Sequence, residues 1–346
     1  MTKTLSTRTI SLTYFRNAAF ASMLLVWAAV TLGAQTSGMS DDGAVPTVAH
    51  NTWTSGAPMP TAVMFPMVAV LGGQIYVVGG ATGGTVGTVT GIVADTQVFD
   101  PATNAWSTGV PLPTPLCAGA AAVVDGALYV IGGVLQDGTT YTNAVWAFNP
   151  RKKAWSAKSP LPTATVSMGV VVENGIIYVI GGLDEYTDRL NTVESYDPAT
   201  DSWTEEAPLL VGKSNSSVGL VGTTIVAADG FGQPPSDDTG DNEGYDASTN
   251  TWTSLTADPT PRDGTCGGSI GGHMYVAGGY YGNDDGPDMN FNEAFNLSKN
   301  SWKTLAPMPQ ATLASGSAVY KKQLYCLGGV ASYQGGVLDN VQIYQP

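Results

Sequence analysis

Residues 161–203 read LPTATVSMGVVVENGIIYVIGGLDEYTDRLNTVESYDPATDSW, and this pattern decides the fold. Two apolar runs flank Asn174 and Gly175, which predicts a β-hairpin because both central residues of a type I′ turn adopt positive φ. A third run ends in a Tyr-Asp-Pro turn, and Pro198 fixes φ there, which predicts a second hairpin leading to Trp203. The stretch therefore predicts a four-stranded antiparallel sheet.

The same pattern occurs six times along the chain. Tryptophans recur at intervals of 48 to 53 residues, and a glycine pair follows each of them by 26 residues. In the fourth unit Asp229 replaces the first glycine of the pair, and an aromatic residue lies seven positions before most of the tryptophans. Only the segment between glycine pair and aromatic residue changes in length, which indicates a variable loop on a constant scaffold. The six tryptophans are Trp53, Trp106, Trp155, Trp203, Trp252 and Trp302.

The two ends of the repeat region hold complementary halves of one unit. Trp53 has no aromatic residue seven positions before it, and Tyr344, the aromatic residue of the sixth unit, has no tryptophan after it. We therefore expect the strand around Trp53 to pair with the strand around Tyr344 and to close a ring of six sheets. Closure removes the open sheet edges that promote aggregation.

These motifs resemble the kelch repeat. The resemblance rests on the run IYVVGG at residues 75–80, the Tyr/Phe-Asp-Pro turn and the spaced tryptophans, and it covers residues 51–346. It implies an all-β, six-bladed β-propeller with four strands, a to d, in each blade. The glycine pair then ends strand b, while the aromatic residue lies on strand c and the tryptophan on strand d. We expect these rings to fill the space between adjacent twisted sheets.

Composition and charge narrow the class of protein. Only 12% of the residues are charged and 43 are glycine, which is typical of a compact, turn-rich β protein. The net charge of −14 would repel the phosphates of nucleic acids, so we expect no nucleic-acid partner.

Residues 1–34 have the features of a targeting segment. Three basic residues precede an apolar run at residues 18–32, and small residues follow around Ala34. This pattern predicts a signal peptide cleaved near Ala34, with an uncleaved signal anchor as the alternative, and a flexible linker at residues 35–50. We therefore expect a secreted or periplasmic, monomeric propeller that meets a membrane only if its leader stays attached.

The three cysteines are Cys117, Cys266 and Cys326, each within an apolar strand run. Their odd number leaves at least one thiol unpaired within the chain. Buried free thiols are therefore favoured, and a bridge between Cys266 and Cys326, which lie in neighbouring units, stays open as the alternative.

In kelch propellers the d–a and b–c loops emerge on one face, where partners usually bind. The position sixteen residues before the glycine pair is often arginine in kelch repeats, and here only Lys213 and Arg262 are cationic at that position. Folding of strands a and b into a hairpin should bring Lys213 close to Asp229. We therefore expect either a compensating Lys213–Asp229 ion pair or a charged pocket rim on blades 4 and 5, with Arg262 adjacent.

Most of the remaining chemical character lies in the b–c loops of units three to six. Aromatic side chains alternate there with carboxylates and amides, which suits a carbohydrate or a peptide because rings stack on apolar faces while polar groups form hydrogen bonds. Ordinary solvated loops are the alternative interpretation. Together with Lys213 and Arg262, the candidate binding residues are Glu185, Tyr186, Arg189, Phe231, Asp237, Asp238, Tyr280, Tyr281, Asp284, Asp285 and Tyr333.

Motifs for catalysis and metal binding are weak. Residues 267–271 match G-x-S-x-G, but they precede a hairpin turn rather than the helix that a nucleophile elbow needs. The chain has only His50 and His273, so neither a Ser-His-Asp triad nor the copper site of galactose oxidase, with its two histidines and two tyrosines, is expected. Residues 237–243 and 282–288 are rich in oxygen donors but lack the EF-hand spacing, so we expect no metal and no cofactor.

The favoured hypothesis is an exported, non-catalytic kelch propeller that binds a carbohydrate or protein partner through its loop face. The alternative is a sugar mutarotase of the N-acetylneuraminate epimerase type, which needs an acid–base carboxylate and a cation for the carboxylate of the substrate. Glu185 with Arg189, or Asp229 with Arg262, would supply those groups. No motif of that enzyme family matches residue by residue, so the alternative rests on the analogy of fold.

Overall fold

The computed structural model describes residues 50–186, 189–232, 239–281 and 289–346. These residues form six four-stranded antiparallel sheets arranged in a ring. Strand a of each sheet contacts strand a of the next, and the sixth contacts the first, so the six innermost strands surround a central channel. The predicted all-β, six-bladed propeller is confirmed.

The first three blades run in chain order from the innermost strand a to the outermost strand d. Their strands are Met67–Leu71, Gln74–Val78, Thr96–Asp100 and Ala105–Thr108 in blade 1; Ala120–Val124, Ala127–Ile131, Val145–Asn149 and Ala154–Lys158 in blade 2; and Gly169–Glu173, Ile176–Ile180, Val193–Asp197 and Ser202–Glu205 in blade 3.

Blades 4 and 5 follow the same order, whereas blade 6 takes its outermost strand from the start of the repeat region. The strands are Ser217–Val221, Thr224–Ala228, Asn242–Asp246 and Thr251–Leu255 in blade 4; Cys266–Ile270, His273–Ala277, Asn292–Asn296 and Ser301–Thr304 in blade 5; and Gly316–Tyr320, Gln323–Leu327, Val341–Gln345 and Thr52–Ser55 in blade 6. In blade 6 Trp53 lies opposite Tyr344 in antiparallel register, which confirms the predicted closure.

Four additional pairs of short strands lie within the b–c and d–a loops. They are Ala81–Thr85 with Thr88–Ile92, Leu116–Cys117 with Val134–Leu135, Lys213–Ser214 with Phe231–Gly232, and Val330–Ser332 with Gly335–Val337. A 3₁₀ helix, Leu297–Lys299, occupies the c–d turn of blade 5. Within the described ranges, no helix has the length and apolar character to cross a membrane. The predicted leader at residues 1–34 and nearly all of the predicted linker lie outside the described residues.

Each of the six tryptophans of the repeat pattern packs against the aromatic residue of its own blade. The six ring pairs have centroid separations of 4.9 to 5.3 Å. Each indole N–H also donates to a backbone carbonyl at 2.8 to 3.1 Å, and this carbonyl always lies four residues after the tryptophan of the preceding blade. Trp203 of blade 3, for example, donates to the Ser159 carbonyl. The tryptophans therefore join neighbouring blades, in agreement with their expected packing role.

Each glycine pair allows the next blade to approach closely. Gly181 has a φ of +61°, and a Cβ at this position would lie 2.3 Å from the Lys213 carbonyl oxygen. The first glycines of blades 1, 2, 5 and 6 show the same approach, at 2.2 to 2.5 Å. The second glycine uses this carbonyl as an acceptor, since the Gly182 N–H donates to Lys213 at 2.9 Å. In these five blades glycine thus serves steric as well as conformational needs, whereas blade 4 carries Asp229 at the same position with a φ of 56°.

We expect Gly181→Ala to destabilise the protein by about 1–3 kcal/mol more than Gly175→Ala, the usual cost of overpacking. Both glycines have positive φ, so both variants suffer the backbone cost of alanine, but a Cβ at Gly175 would have no atom within 4 Å. Urea unfolding of the two variants measures the difference. Equal losses would show that the contact with the next blade does not limit this position.

Cys266 and Cys326 form a disulfide bridge, so the expectation of free thiols is wrong for this pair. Cys266 begins strand a of blade 5, and Cys326 lies in strand b of blade 6. Their Cα atoms are 5.8 Å apart, which is within the reach of a disulfide. Cys117 is free and buried.

Candidate binding face and channel mouth

One residue just before strand a of each blade borders the channel on its loop side, which gives a set of six residues. All six have a φ between 51° and 62°, although only one of them is glycine. Each backbone N–H donates to the carbonyl of its counterpart in the preceding blade at 2.8 to 3.3 Å, so the hydrogen bonds form a closed circle that we call the mouth ring. Its members are Phe65, Ala118, Ser167, Asn215, Gly264 and Ala314.

Below the mouth ring lies a cavity of about 360 Å³, which is lined by strand a of each of the six blades. Blades 1 to 3 line it with valine, alanine and methionine, whereas blades 4 to 6 add serine and threonine hydroxyls. The hydroxyls of Ser217 and Thr265 lie 2.7 Å apart and form a hydrogen bond. The buried Oγ atoms of Ser216 and Ser315 have no hydrogen-bond partner in the part of the chain that the structure describes. One half of the channel lining is therefore apolar, and the other half carries hydroxyl groups.

An apolar cluster surrounds the mouth ring and includes two of the predicted binding residues. The rings of Tyr280 and Tyr333 pack with their centroids 5.1 Å apart. Tyr280 is only 3% exposed, so its predicted place on an accessible binding surface is wrong. Tyr280 belongs to this cluster together with buried apolar residues such as Leu313 and Val330, so it packs beside the mouth instead of facing solvent.

Arg189 and Phe231 connect the b–c loops of blades 3 and 4. The Arg189 guanidinium lies over the Phe231 ring, 4.0 Å from its centroid, which is a cation–π contact. Both side chains are half-buried. The structure therefore brings these two predicted binding residues together and engages them with each other.

Lys213 and Arg262 are both fully buried, so the predicted charged rim is wrong. Lys213 Nζ lies 3.1 Å from Glu243 Oε1, so its ion pair is with Glu243 rather than with Asp229 as predicted. Arg262 lies 2.6 Å from Glu293 Oε2. Glu243 and Glu293 occupy the same position on strand c of blades 4 and 5. The sequence prediction considered only the a–b hairpin, whereas strand c supplies the partner.

Two buried acids make the junction of blades 4 and 5 unlike the others. Asp229 replaces a glycine, and Asp258 replaces an aliphatic residue, yet both are at most 3% exposed. Burial raises the pKa of both carboxyls, that of Asp258 to about 7, and the neighbouring Asp258 raises the pKa of Asp229 further. Arg262 opposes both shifts and lies 3.5 Å from Asp258 Oδ2.

Sequence reasoning missed Asp258, although the repeat contains a signal for it. The other five repeats carry a buried apolar residue at this position, so a carboxyl group there is a departure that needs a partner. Those five residues are Met59, Leu112, Leu161, Leu209 and Met308.

All four large apolar side chains that are exposed among the described residues lie on the loop side of blades 3 to 5. Tyr186 is 75% exposed, Leu210 57%, Tyr281 48% and Phe291 43%. We call this region the blade 3–5 sector. Glu185, which the sequence also predicted, is exposed beside Tyr186.

Leu210 and Phe291 were not predicted from the sequence. Leu210 had a signal, because the other five repeats carry proline at that position of the d–a loop. The prolines are Pro60, Pro113, Pro162, Pro259 and Pro309.

The remaining candidates, Asp237, Asp238, Asp284 and Asp285, lie outside the described residues. Of the two oxygen-rich segments considered for calcium, the segment 282–288 lies wholly outside the described residues, and the segment 237–243 is described from residue 239 onward. Within the described ranges, no group of three His, Cys, Asp or Glu side chains is arranged to hold a metal ion.

Comparison with known proteins identifies relatives of the repeat region. A family model described as Attractin/LZTR1 beta-propeller matches residues 94–342, and a Kelch motif model matches residues 68–113. Kelch-like protein terF of Aspergillus terreus is 30% identical over 241 residues, which cover 66% of this chain and 52% of that protein. Kelch-like protein 35 of Mus musculus is 41% identical over 92 residues, which cover 26% of this chain and 15% of that protein. The match therefore spans about half of the first relative and a small part of the second.

A solved structure titled "Structure of YjhT" has the same fold. It superposes with a TM-score of 0.71 at 19% identity and covers 83% of this chain and 96% of that chain. The first family model spans well over half of this sequence. The chain is therefore a member of the Attractin/LZTR1 β-propeller family, and its six blades are kelch repeats.

Proposed function

We propose that this kelch propeller is a binding module that takes a carbohydrate or protein partner on the blade 3–5 sector. The observation that carries the proposal is the position of the exposed apolar side chains, because all four lie on one side of three consecutive blades. Large apolar side chains gathered on one part of a surface are typical of interaction sites, whereas scattered ones need no explanation.

The chemistry around these side chains suits a ligand with both apolar and polar faces. Tyr186 and Tyr281 offer rings that stack on the apolar face of a sugar or insert into a protein partner. Glu185 supplies an exposed acceptor next to Tyr186. The Tyr186 backbone N–H donates to Asp184 Oδ1 at 3.0 Å, which orders the loop that carries both residues.

The neighbouring channel favours a carbohydrate as the ligand. Its cavity of about 360 Å³ falls within the size range of small-molecule sites. The hydroxyl groups of blades 4 to 6 line the half that lies next to the blade 3–5 sector. A sugar chain bound to the sector can therefore extend a residue toward polar groups at the channel mouth.

The mutarotase alternative has less support from the geometry. Asp229 and Arg262 are sealed from solvent, each 0% exposed, so this pair cannot meet a sugar in the described conformation. Glu185 and Arg189 are the other candidate pair, and Arg189 covers the Phe231 ring. A non-catalytic role is therefore the preferred proposal.

We also propose that the protein works outside the cytoplasm. The disulfide between Cys266 and Cys326 supports this proposal, because disulfide bridges persist mainly in oxidising compartments.

The proposal predicts that the variant Tyr186→Ser/Tyr281→Ser/Phe291→Ser loses binding without losing stability. Defined glycan and peptide arrays, probed with the wild-type protein, identify the ligand class. For a ligand so found, we expect affinity to fall at least about tenfold in the triple variant, because aromatic anchors dominate such interfaces. The melting temperature should stay unchanged, since all three side chains are exposed.

Lys152→Ser/Lys153→Ser is the control, because it alters exposed side chains in a c–d turn, on the opposite side of the propeller. It should bind like the wild type. Equal binding by the triple variant, or no ligand on either array, would contradict the proposal. If a sugar binds, following the exchange of its pure α-anomer by NMR separates the two functions: acceleration would favour the mutarotase, and none would favour the binding module.

A further inference from the structure

A second cavity, of about 390 Å³, lies between blades 5 and 6 on the side of the a–b and c–d turns. We call it the seam groove, because it adjoins the strand pair that closes the ring. Its floor includes the rings of Tyr275 and Tyr344, whose centroids are 5.9 Å apart, together with Leu305. Its rim includes the exposed side chains of Lys299 and Lys303.

The equivalent groove between blades 1 and 2 shows which features belong to the repeat and which are specific. That groove has a volume of about 280 Å³, and Tyr76 and Phe148 form its floor with centroids 6.2 Å apart. The aromatic floor is therefore common to both grooves. At the position of Lys303, however, blade 1 has Ser107, and at the position of His273 it has Gln74. The blade 1–2 groove is lined by one lysine, Lys153 on its blade 2 side, whereas the seam groove has two, both on its blade 5 side, so the pair of lysines is specific to the seam groove.

The cations of the seam groove are not neutralised by the protein around them. None of the residues that line it is Asp or Glu. Neither Lys299 nor Lys303 lies within 4.0 Å of a carboxylate of the described residues, whereas the buried Lys213 and Arg262 both do. Lys299 and Lys303 therefore stand at the groove as two exposed charges without an ion-pair partner among the described residues. Their potential therefore attracts an anion from solution.

His273 contributes a fixed polar group to the wall of the groove. Its Nδ1 lies 3.2 Å from the Gly271 carbonyl oxygen, and its Nε2 lies 2.8 Å from Asn296 Nδ2. The Asn296 side chain is itself held in place, because its Oδ1 accepts from the Lys299 backbone N–H at 2.9 Å. The lysine side chains that carry positive charge at the rim are Lys299 and Lys303.

We propose that the seam groove binds a small organic anion, a carboxylate or phosphate attached to a flat apolar body. The two lysines hold the anionic group at the rim, and the body lies against the tyrosine floor. The aromatic floor and the cationic rim both contact one molecule only if that molecule carries an apolar body as well as an anionic group. This site is independent of the blade 3–5 sector, which lies at the other end of the channel axis.

Isothermal titration with phenyl phosphate, benzoate, inorganic phosphate and phenol tests the proposal on the whole protein. We expect phenyl phosphate or benzoate to bind at least about tenfold more tightly than inorganic phosphate or phenol, because only the former use both the rim and the floor. The ratio between phenyl phosphate and benzoate identifies the preferred anionic group. Lys299→Gln/Lys303→Gln should weaken the binding of the aromatic anion by about tenfold or more, through loss of both cations.

Lys321→Gln/Lys322→Gln is the matched control. It removes two neighbouring positive charges from the a–b turn of blade 6 without touching the residues that line the groove. This variant should bind the aromatic anions like the wild type. Equal weakening in both double variants would show a general charge effect and overturn the proposal. The same holds if Lys299→Gln/Lys303→Gln binds unchanged, or if none of the four probes binds.

Discussion

Arg262→Ala is expected to lower the free energy of unfolding by about 3–5 kcal/mol, the cost of removing one partner from a buried ion pair. The guanidinium lies within 3.5 Å of both Asp258 and Glu293, and all three side chains are at most 3% exposed. Without it the carboxyls of Asp258, Glu293 and Asp229 face one another in the interior. Urea unfolding followed by tryptophan fluorescence measures the change, and a loss below about 1 kcal/mol would show that water or rearrangement replaces the cation.

A combined variant separates the charge network from the fold of this junction. The junction of blades 6 and 1 carries Gly328, Met59, Val63 and Gln97 at the positions of Asp229, Asp258, Arg262 and Glu293. The variant Asp229→Gly/Asp258→Met/Arg262→Val/Glu293→Gln introduces those four residues at the junction of blades 4 and 5. We expect it to regain wild-type stability or to exceed it by about 1–4 kcal/mol, because replacing a buried ionic group by a packed apolar one is often stabilising. A variant as unstable as Arg262→Ala would show that the polar network fits this junction better than the repeat pattern does.

The second large effect is expected at the closure of the ring. Replacing residues 51–56 by six glycine and serine residues keeps the chain length and removes the pairing of Thr52–Ser55 with Val341–Gln345. It also removes the Trp53 ring, which packs 5.0 Å from Tyr344, and its hydrogen bond to the Ala306 carbonyl at 2.8 Å. Loss of one packed tryptophan costs about 3–5 kcal/mol, so we expect the melting temperature to fall by at least about 5 °C.

Trp302→Phe is the control for this closure variant. It keeps an aromatic ring at the equivalent position of blade 5 and removes only the hydrogen bond to the Thr256 carbonyl, worth about 1 kcal/mol. Calorimetry compares the two. A closure variant that melts within a few degrees of the control would refute the view that the last strand pair holds the ring together.

The sequence predicted the fold well because the fold is a repetition. Each unit places its tryptophan, its aromatic residue and its glycine pair at the same offsets, so a pattern that is weak in one unit becomes strong in six. The pairing of Trp53 with Tyr344 was predicted from the same constant spacing between tryptophan, aromatic residue and glycine pair. Local sequence was sufficient wherever the reason for a residue lies in its own repeat.

Contacts between repeats, and between strands a and c, were not predictable in this way. Lys213 was assigned to Asp229, its neighbour across the a–b hairpin, but strand c places Glu243 closer. Cys266 and Cys326 are joined because strand a of one blade lies beside strand b of the next, and spacing alone does not reveal that distance. Tyr280 lies in a segment rich in polar residues, which is typical of an exposed loop, yet its side chain packs in the buried cluster beside the channel mouth. In each case the missing information was the position of another strand.

The mouth ring has a consequence for how such a chain can evolve. Its six hydrogen bonds all run in one rotational sense, each from a blade to the blade before it, and Phe65 donates to Ala314 to complete the circle. A circle of this kind has neither a first nor a last member, so every N–H and every carbonyl is paired only while the ring is closed. Opening the ring at any one junction would leave one N–H and one carbonyl without a partner at the mouth. The mouth ring thereby ties the first blade to the last, and it constrains the residues before strand a more than the loops that project around it.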